Sequence, residues 1–397
     1  MNDLRKLFTD PRLIGGPGPW VLAALVAVNM ALVAGRQQLQ AAFEDPSAQV
    51  LKAARQGAAA FDPTLPPESA GNSVRYDRSL SQRLSLYWRY IPDARRQPLV
   101  LVAGMSQMYT INNFKPGDQT VSEHMDDALA PKGVRVFGLA APNLSHEEAL
   151  FLLSAATREA RTRPEAFIFA VCFDKFRQSD LRDNYLRFLR ERPELRAYWR
   201  ATADRYAARY PLATAAMRKS LDALETDETV EDNSFEARLR AGVSEVSPLV
   251  ADRVDLNTKL RLALYETRNA VLGIETHSKR PLMPSLYAMN QEFLGLMADV
   301  AKENGVRLML YVVPLNQQAE TPYVESEYAA FKTWFDAFTR ERGIPAANLE
   351  HVVPRDAWGT FLGGPDFKHF RGEGHRRTAE ALVDRFGPLL TPAPAAR

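Results

Sequence analysis

Pro98-Leu99-Val100-Leu101-Val102-Ala103-Gly104-Met105-Ser106 is the stretch on which the reading of this chain turns. Five apolar residues run without interruption between Pro98 and Gly104. The run is too short for a core helix and does not alternate, which is the pattern of a strand buried on both faces of a parallel sheet. Similar runs stand at 134–138, 167–171 and 306–313. Helical spacing fills the intervals, notably at 145–161 and at 286–304, the latter stopped by Gly305. Strands alternating with helices predict an α/β fold, a parallel sheet with helices on both faces. Ser106 then falls just past the carboxyl end of the first strand, the edge at which open α/β sheets hold their sites.

A serine hydroxyl attacks at neutral pH only with a base in reach and a third group orienting that base. The chain has six histidines, at 124, 146, 277, 351, 369 and 375. Only His369 and His375 lie in a glycine-rich turn between the last strand region and a final helix, and Asp366 stands three residues before His369. Ser106, Asp366 and His369 are therefore expected to form a triad, and His375 to be exposed. The alternative is a loop serine with a helix-capping Asp366 and a surface His369.

Further candidates follow the other strands. After the second come Ala140, Ala141, Pro142 and Asn143. Asn143 is either a side-chain donor to the site or the residue leading into a helix whose Ser145 and Glu148 form a capping-box pattern. Asp174, Arg177 and Arg182 follow the third strand, where arginine would grip an anionic head group or join a solvated salt-bridged surface. Asn316, after the fourth, reads as a pocket residue or a turn residue. Cys172 reads as a small core residue. No cluster has metal-ligand spacing and no glycine-rich phosphate loop occurs, so no cofactor is expected.

The run Asp366-Phe367-Lys368-His369-Phe370-Arg371-Gly372-Glu373-Gly374-His375 resembles the D-x-x-H block of the SGNH hydrolase superfamily. Gly104-x-Ser106 near the start completes the order Ser, Asp, His of that superfamily. The chain further resembles its membrane-anchored branch, which carries out D-alanyl transfer to teichoic acids and O-acetylation of polysaccharides beside membrane-bound O-acyltransferases. The likeness rests on an N-terminal anchor, Gly104-x-Ser106, Pro314-Leu315-Asn316 and Asp366-x-x-His369 with Gly374, and covers 98–175 and 305–390. It implies a three-layer, flavodoxin-like sheet and transfer of a small acyl group through an acyl-serine. A membrane-bound O-acyltransferase would be the partner, and a cell-surface polysaccharide or teichoic-type polymer the acceptor. In that superfamily the oxyanion donors are the nucleophile amide, a glycine after the second strand and an asparagine after the third. Here Ala140 stands where the glycine is expected, and the asparagine is missing from Cys172-Phe173-Asp174-Lys175.

The 397 residues are 46% hydrophobic and 25% charged, as in ordinary globular proteins. With 50 basic and 48 acidic residues intermixed, no strong field favours nucleic acid, and one cysteine excludes a disulfide framework. Arg5, Lys6 and Arg12 precede an apolar run at 20–35, broken only by Asn29 and closed by Arg36. Counted from Pro17, it approaches the ~20 residues that span a bilayer. Ala31-Leu32-Val33-Ala34 is a poor cleavage site, so an uncleaved anchor is expected. The basic flank orients it, giving a cytoplasmic segment 1–19, a transmembrane helix 20–35, a Pro-rich stalk 36–95 and a catalytic domain 96–390 on the periplasmic or extracellular side. Residues 178–285 read as a helical insertion, either a cap or a binding platform, with an acidic break at 225–232 expected to be an exposed loop. Three functions fit: an acyltransferase, an esterase or deacetylase of surface glycan or lipid using the same triad, and a non-catalytic scaffold subunit of an acylation complex.

Overall fold

Leu99–Gly104 (β1) is buried along its whole length, as its continuous apolar run requires. It pairs in parallel with Arg135–Ala140 (β2) on one side and Ala166–Val171 (β3) on the other. Arg307–Val312 (β4) joins β3, and Ala346–Asn348 (β5) closes the edge, giving the all-parallel order β2-β1-β3-β4-β5. The computed structural model describes Leu84, Tyr87, residues 98–158 apart from Thr110, Phe114 and Pro116, residues 163–227, and residues 278–391 apart from Leu362 and Gly363. The expected anchor at 20–35, the stalk and the middle of the expected insertion lie outside these residues. No described helix is long and apolar enough to cross a membrane.

Helices follow the strands in turn. Val121–Leu129 (α1) follows β1 and His146–Thr157 (α2) follows β2. After β3 come Asp183–Arg190 (α3), Pro193–Arg205 (α4), Pro211–Asp227 (α5) and Pro284–Glu303 (α6). Glu325–Glu341 (α7) follows β4. An antiparallel hairpin, Trp358–Phe361 (β6) and Gly364–Phe370 (β7), then leads into Gly372–Leu390 (α8).

One face of the sheet carries α1 and α8, packed on each other. Val121, Met125 and Leu129 recur at four-residue spacing on α1 and form its buried stripe. The other face carries α2 and α6. Phe331 and Trp334 of α7 lie against Phe176, and Arg342 just past α7 reaches Asp299 of α6 at 3.0 Å. Every residue of α2 is buried, because α4 and α6 cover what the sheet does not. Ser145 caps α2 as its sequence predicts, accepting from the Glu148 N–H at 3.1 Å while the Glu148 carboxylate accepts from the Ser145 N–H at 3.0 Å.

Three readings change. Strand β2 runs on to Ala140 instead of ending at 138. Helix α5 continues to Asp227, so the acidic break at 225 begins inside a helix, and its remainder lies outside the described residues. The segment around Asp366 and His369 is a strand of a hairpin, not a turn.

Candidate active site

β1 lies between β2 and β3, so the chain leaves adjacent strand ends toward opposite faces at this edge, the usual place for a site in an open sheet. At the end of β1 the chain folds at once into a 3-10 turn, Ser106–Met108. Gly104 permits it: a Cβ there would sit 2.5 Å from Met108 Cγ and 2.8 Å from Ala170 Cβ. Ser106 opens the turn, and β7 brings the other two groups to it. Ser106 Oγ lies 2.9 Å from His369 Nε2, and His369 Nδ1 lies 2.8 Å from Asp366 Oδ2. The second carboxylate oxygen, Oδ1, accepts the backbone N–H groups of Lys368 at 3.0 Å and His369 at 3.1 Å.

These contacts fix the tautomer. Asp366 is 5% exposed, and burial alone would raise its carboxyl. The hydrogen bond and charge of His369, with the two backbone donors, outweigh burial and hold it below the usual carboxylate range. An ionised acceptor at Nδ1 puts the ring proton there and turns the Nε2 lone pair to the Ser106 hydroxyl. The three residues expected to meet do meet.

Two buried amides hold the pieces in register, one of them unexpected. Gln107 Nε2 donates to Pro314 O at 2.7 Å and to Lys368 O at 2.8 Å, tying the serine turn to the loop after β4 and to β7. Gln107 is 2% exposed, a buried-polar signal that burial reveals and composition does not. Asn316 N–H and Nδ2 donate to Phe367 O at 2.9 Å and Asp366 O at 2.8 Å, and its Oδ1 accepts Gln318 N–H at 2.9 Å. Asn316 thus supports the backbone that carries the aspartate, and its polar groups are engaged with the protein rather than facing a ligand.

Ala140 does not stand in a loop. It is the last residue of β2, opposite Gly104. The left-handed position that a glycine would favour lies three residues on, at Asn143, with φ 51°. Neither the Ser106 nor the Asn143 backbone N–H has an acceptor among the described residues. Asn143 Oδ1 accepts from Lys175 Nζ at 3.0 Å, so that oxygen is committed to the protein.

Asp174 and Arg177 form a local charge cluster with Lys175. Asp174 Oδ2 lies 3.7 Å from Lys175 Nζ, and its Oδ1 lies 4.0 Å from Arg177 Nη1. Arg177 Nε donates to Pro281 O at 3.1 Å. Arg182 pairs with Glu148 and donates to Pro142 O at 2.7 Å. Both guanidinium groups are engaged within the protein rather than presented to a ligand. His375, expected to be exposed, is fully buried against Phe370 with ring centroids 4.6 Å apart, because it lies on the inner face of α8. Cys172 is buried with its Sγ 3.6 Å from the Tyr323 hydroxyl, and burial raises its thiol. No protein-family model matches this chain, and no curated protein matches it significantly.

Proposed function

We propose that the chain is an SGNH-type serine acyltransferase. It would be anchored in the cytoplasmic membrane with its catalytic domain outside, and would move a small acyl group through Ser106 to a cell-surface polysaccharide or teichoic-type polymer. The observation that carries this reading is the line from Ser106 Oγ through both nitrogens of His369 to an ionised Asp366, at 2.9 and 2.8 Å. The order β2-β1-β3-β4-β5, which flavodoxin-like sheets share, supports the fold assignment. A membrane-bound O-acyltransferase is the proposed source of the acyl group.

In this reading His369 Nε2 takes the Ser106 proton as Oγ bonds to the acyl carbon. The carbonyl π pair moves to oxygen, and the Ser106 and Asn143 N–H groups receive that charge. Collapse breaks the bond to the donor's leaving atom, which takes the proton from His369. An acceptor hydroxyl then gives its proton to His369 and attacks the acyl-serine. Ser106 Oγ leaves and recovers the proton, and the relay returns to its starting state.

A second reading keeps the relay and makes water the acceptor. It is favoured by the partial exposure of His369, 18%, which leaves an acyl-serine open to solvent. The test is intact-mass analysis of the full-length chain in detergent after exposure to a fluorophosphonate and to p-nitrophenyl acetate. A single adduct on the unaltered chain and none on Ser106→Ala is expected. No adduct on the unaltered chain refutes the enzyme reading and favours a scaffold. If the acetyl adduct decays at the same rate with and without a polyol acceptor, the protein is a hydrolase.

A further inference from the structure

Lys175 is an unusual residue to find 2% exposed, since lysine is rarely buried without a task for its charge. It sits on the short 3-10 turn Phe173–Arg177 that leaves β3. Its ammonium donates to Asn143 Oδ1 at 3.0 Å and Gln178 Oε1 at 3.2 Å, with Asp174 Oδ2 at 3.7 Å. Asn143 belongs to the loop after β2. Because β1 lies between β2 and β3, a contact from the β3 loop to the β2 loop spans the carboxyl end of β1, where Ser106 departs.

The loop it reaches is held in a conformation that asparagine adopts at some cost. Asn143 has φ 51°, and its N–H has no backbone acceptor among the described residues. The loop is fixed on its other side as well: Arg182 holds Pro142 O at 2.7 Å, and the Ser145–Glu148 capping box secures the residues that follow. Asn143 itself is exposed, so its side chain would swing freely without the ammonium beneath it.

We infer that Lys175 is a positioning residue for the acylation step: by clamping the Asn143 side chain it fixes the left-handed turn that aims the Asn143 N–H at the developing oxyanion. The inference rests on the acyl-serine reading above. It also accounts for why a chain with an asparagine at a glycine-like position needs a buried ammonium behind it.

A double-mutant cycle on the full-length chain tests this, with the rate and half-saturation of p-nitrophenyl acetate acylation read by burst kinetics. Lys175→Met should slow the acylation rate constant by roughly 10- to 100-fold with half-saturation unchanged, the signature of a contact realised in the transition state. Asn143→Gly keeps a left-handed N–H and removes the side chain that needs clamping. In that background the same lysine substitution should cost under about 3-fold, whatever the rate of Asn143→Gly alone. A merely structural lysine would slow both backgrounds equally, and that result overturns the inference, as does an unchanged rate in Lys175→Met. If the unaltered chain forms no acyl-Ser106 at all, the acyl-serine reading falls and takes this inference with it. Thermal melting of each variant identifies any loss due to unfolding, and Lys175→Gln, which retains a donor without the charge, replaces Lys175→Met if the latter does not fold.

Discussion

Replacing Gln107 by leucine isolates what holds the two halves of the site together. The amide nitrogen serves Pro314 O and Lys368 O, carbonyls distant in sequence from the serine turn. Leucine has similar bulk but donates nothing, so both acceptors lose their partner. An orphaned buried carbonyl costs about 1–3 kcal/mol. The contact with Pro314 is fully buried and takes that cost in full, whereas the contact with Lys368 is only partly buried and takes less. The sum is roughly 2–4 kcal/mol, or a drop of roughly 4–16 °C in melting temperature for a domain of this size. Lys368 directly precedes His369, so the relay loosens as well, and a displacement of ~1 Å can slow Ser106 labelling by up to ~100-fold. Glutamate at the same position should be worse at neutral pH, where a carboxylate faces two carbonyl oxygens. It should recover partly in acid, where the protonated carboxyl can donate one bond. Thermal melting by circular dichroism and fluorophosphonate labelling kinetics give both readouts. Melting within about 1 °C of the unaltered chain, with labelling at its normal rate, would refute the reasoning.

Asp366→Asn should keep the fold but remove the ionised partner that fixes the His369 tautomer, slowing Ser106 acylation by ~10⁴-fold in stopped-flow measurements. Glu147 is buried on α2 with one oxygen bonded to Ser220 at 2.9 Å, and burial raises its carboxyl to about 7. A raised native value contributes stability below the unfolded value, near 4.5, that is lost as pH rises through 7. Glu147→Gln should therefore raise the melting temperature at pH 8, by up to about 3 kcal/mol of stability, and leave it little changed at pH 4.5. The neighbouring His146 has the opposite slope: burial lowers it to about 4, so it withdraws stability as pH falls from 6.5 through 4. Gly104→Ala should cost roughly 1–3 kcal/mol by urea melting, since its methyl meets Met108 and Ala170 inside contact distance.

The four long strands were legible because each is a continuous apolar run, and a strand buried on both faces has no polar alternation to obscure it. β5 was not, because Ala-Ala-Asn has neither length nor β-branched residues to mark it. The meeting of Ser106, Asp366 and His369 could be expected from residue types and order. The position of the left-handed residue could not, since β2 runs two residues past the end its apolar run suggested; the glycine's place therefore falls on Ala140 in the sequence, and Asn143 reads there only as a side-chain donor or a helix lead-in. His375 looked exposed because glycines surround it, yet the inner face of α8 takes it into the core. Gln107, Asn316 and Lys175 act by bridging segments distant in sequence, and no local pattern records such a bridge.

The serine and its base lie 263 positions apart, the first at the end of the opening strand and the second on the closing hairpin. Contacts of such separation form late, after the loops between them have been closed. A chain still being synthesised, or cut short before residue 369, carries Ser106 as an ordinary alcohol with nothing to withdraw its proton. On the proposed reading, acyl chemistry would therefore be withheld from any form of the chain that ends before residue 369, and Ser106 would be armed only once the closing hairpin is in place.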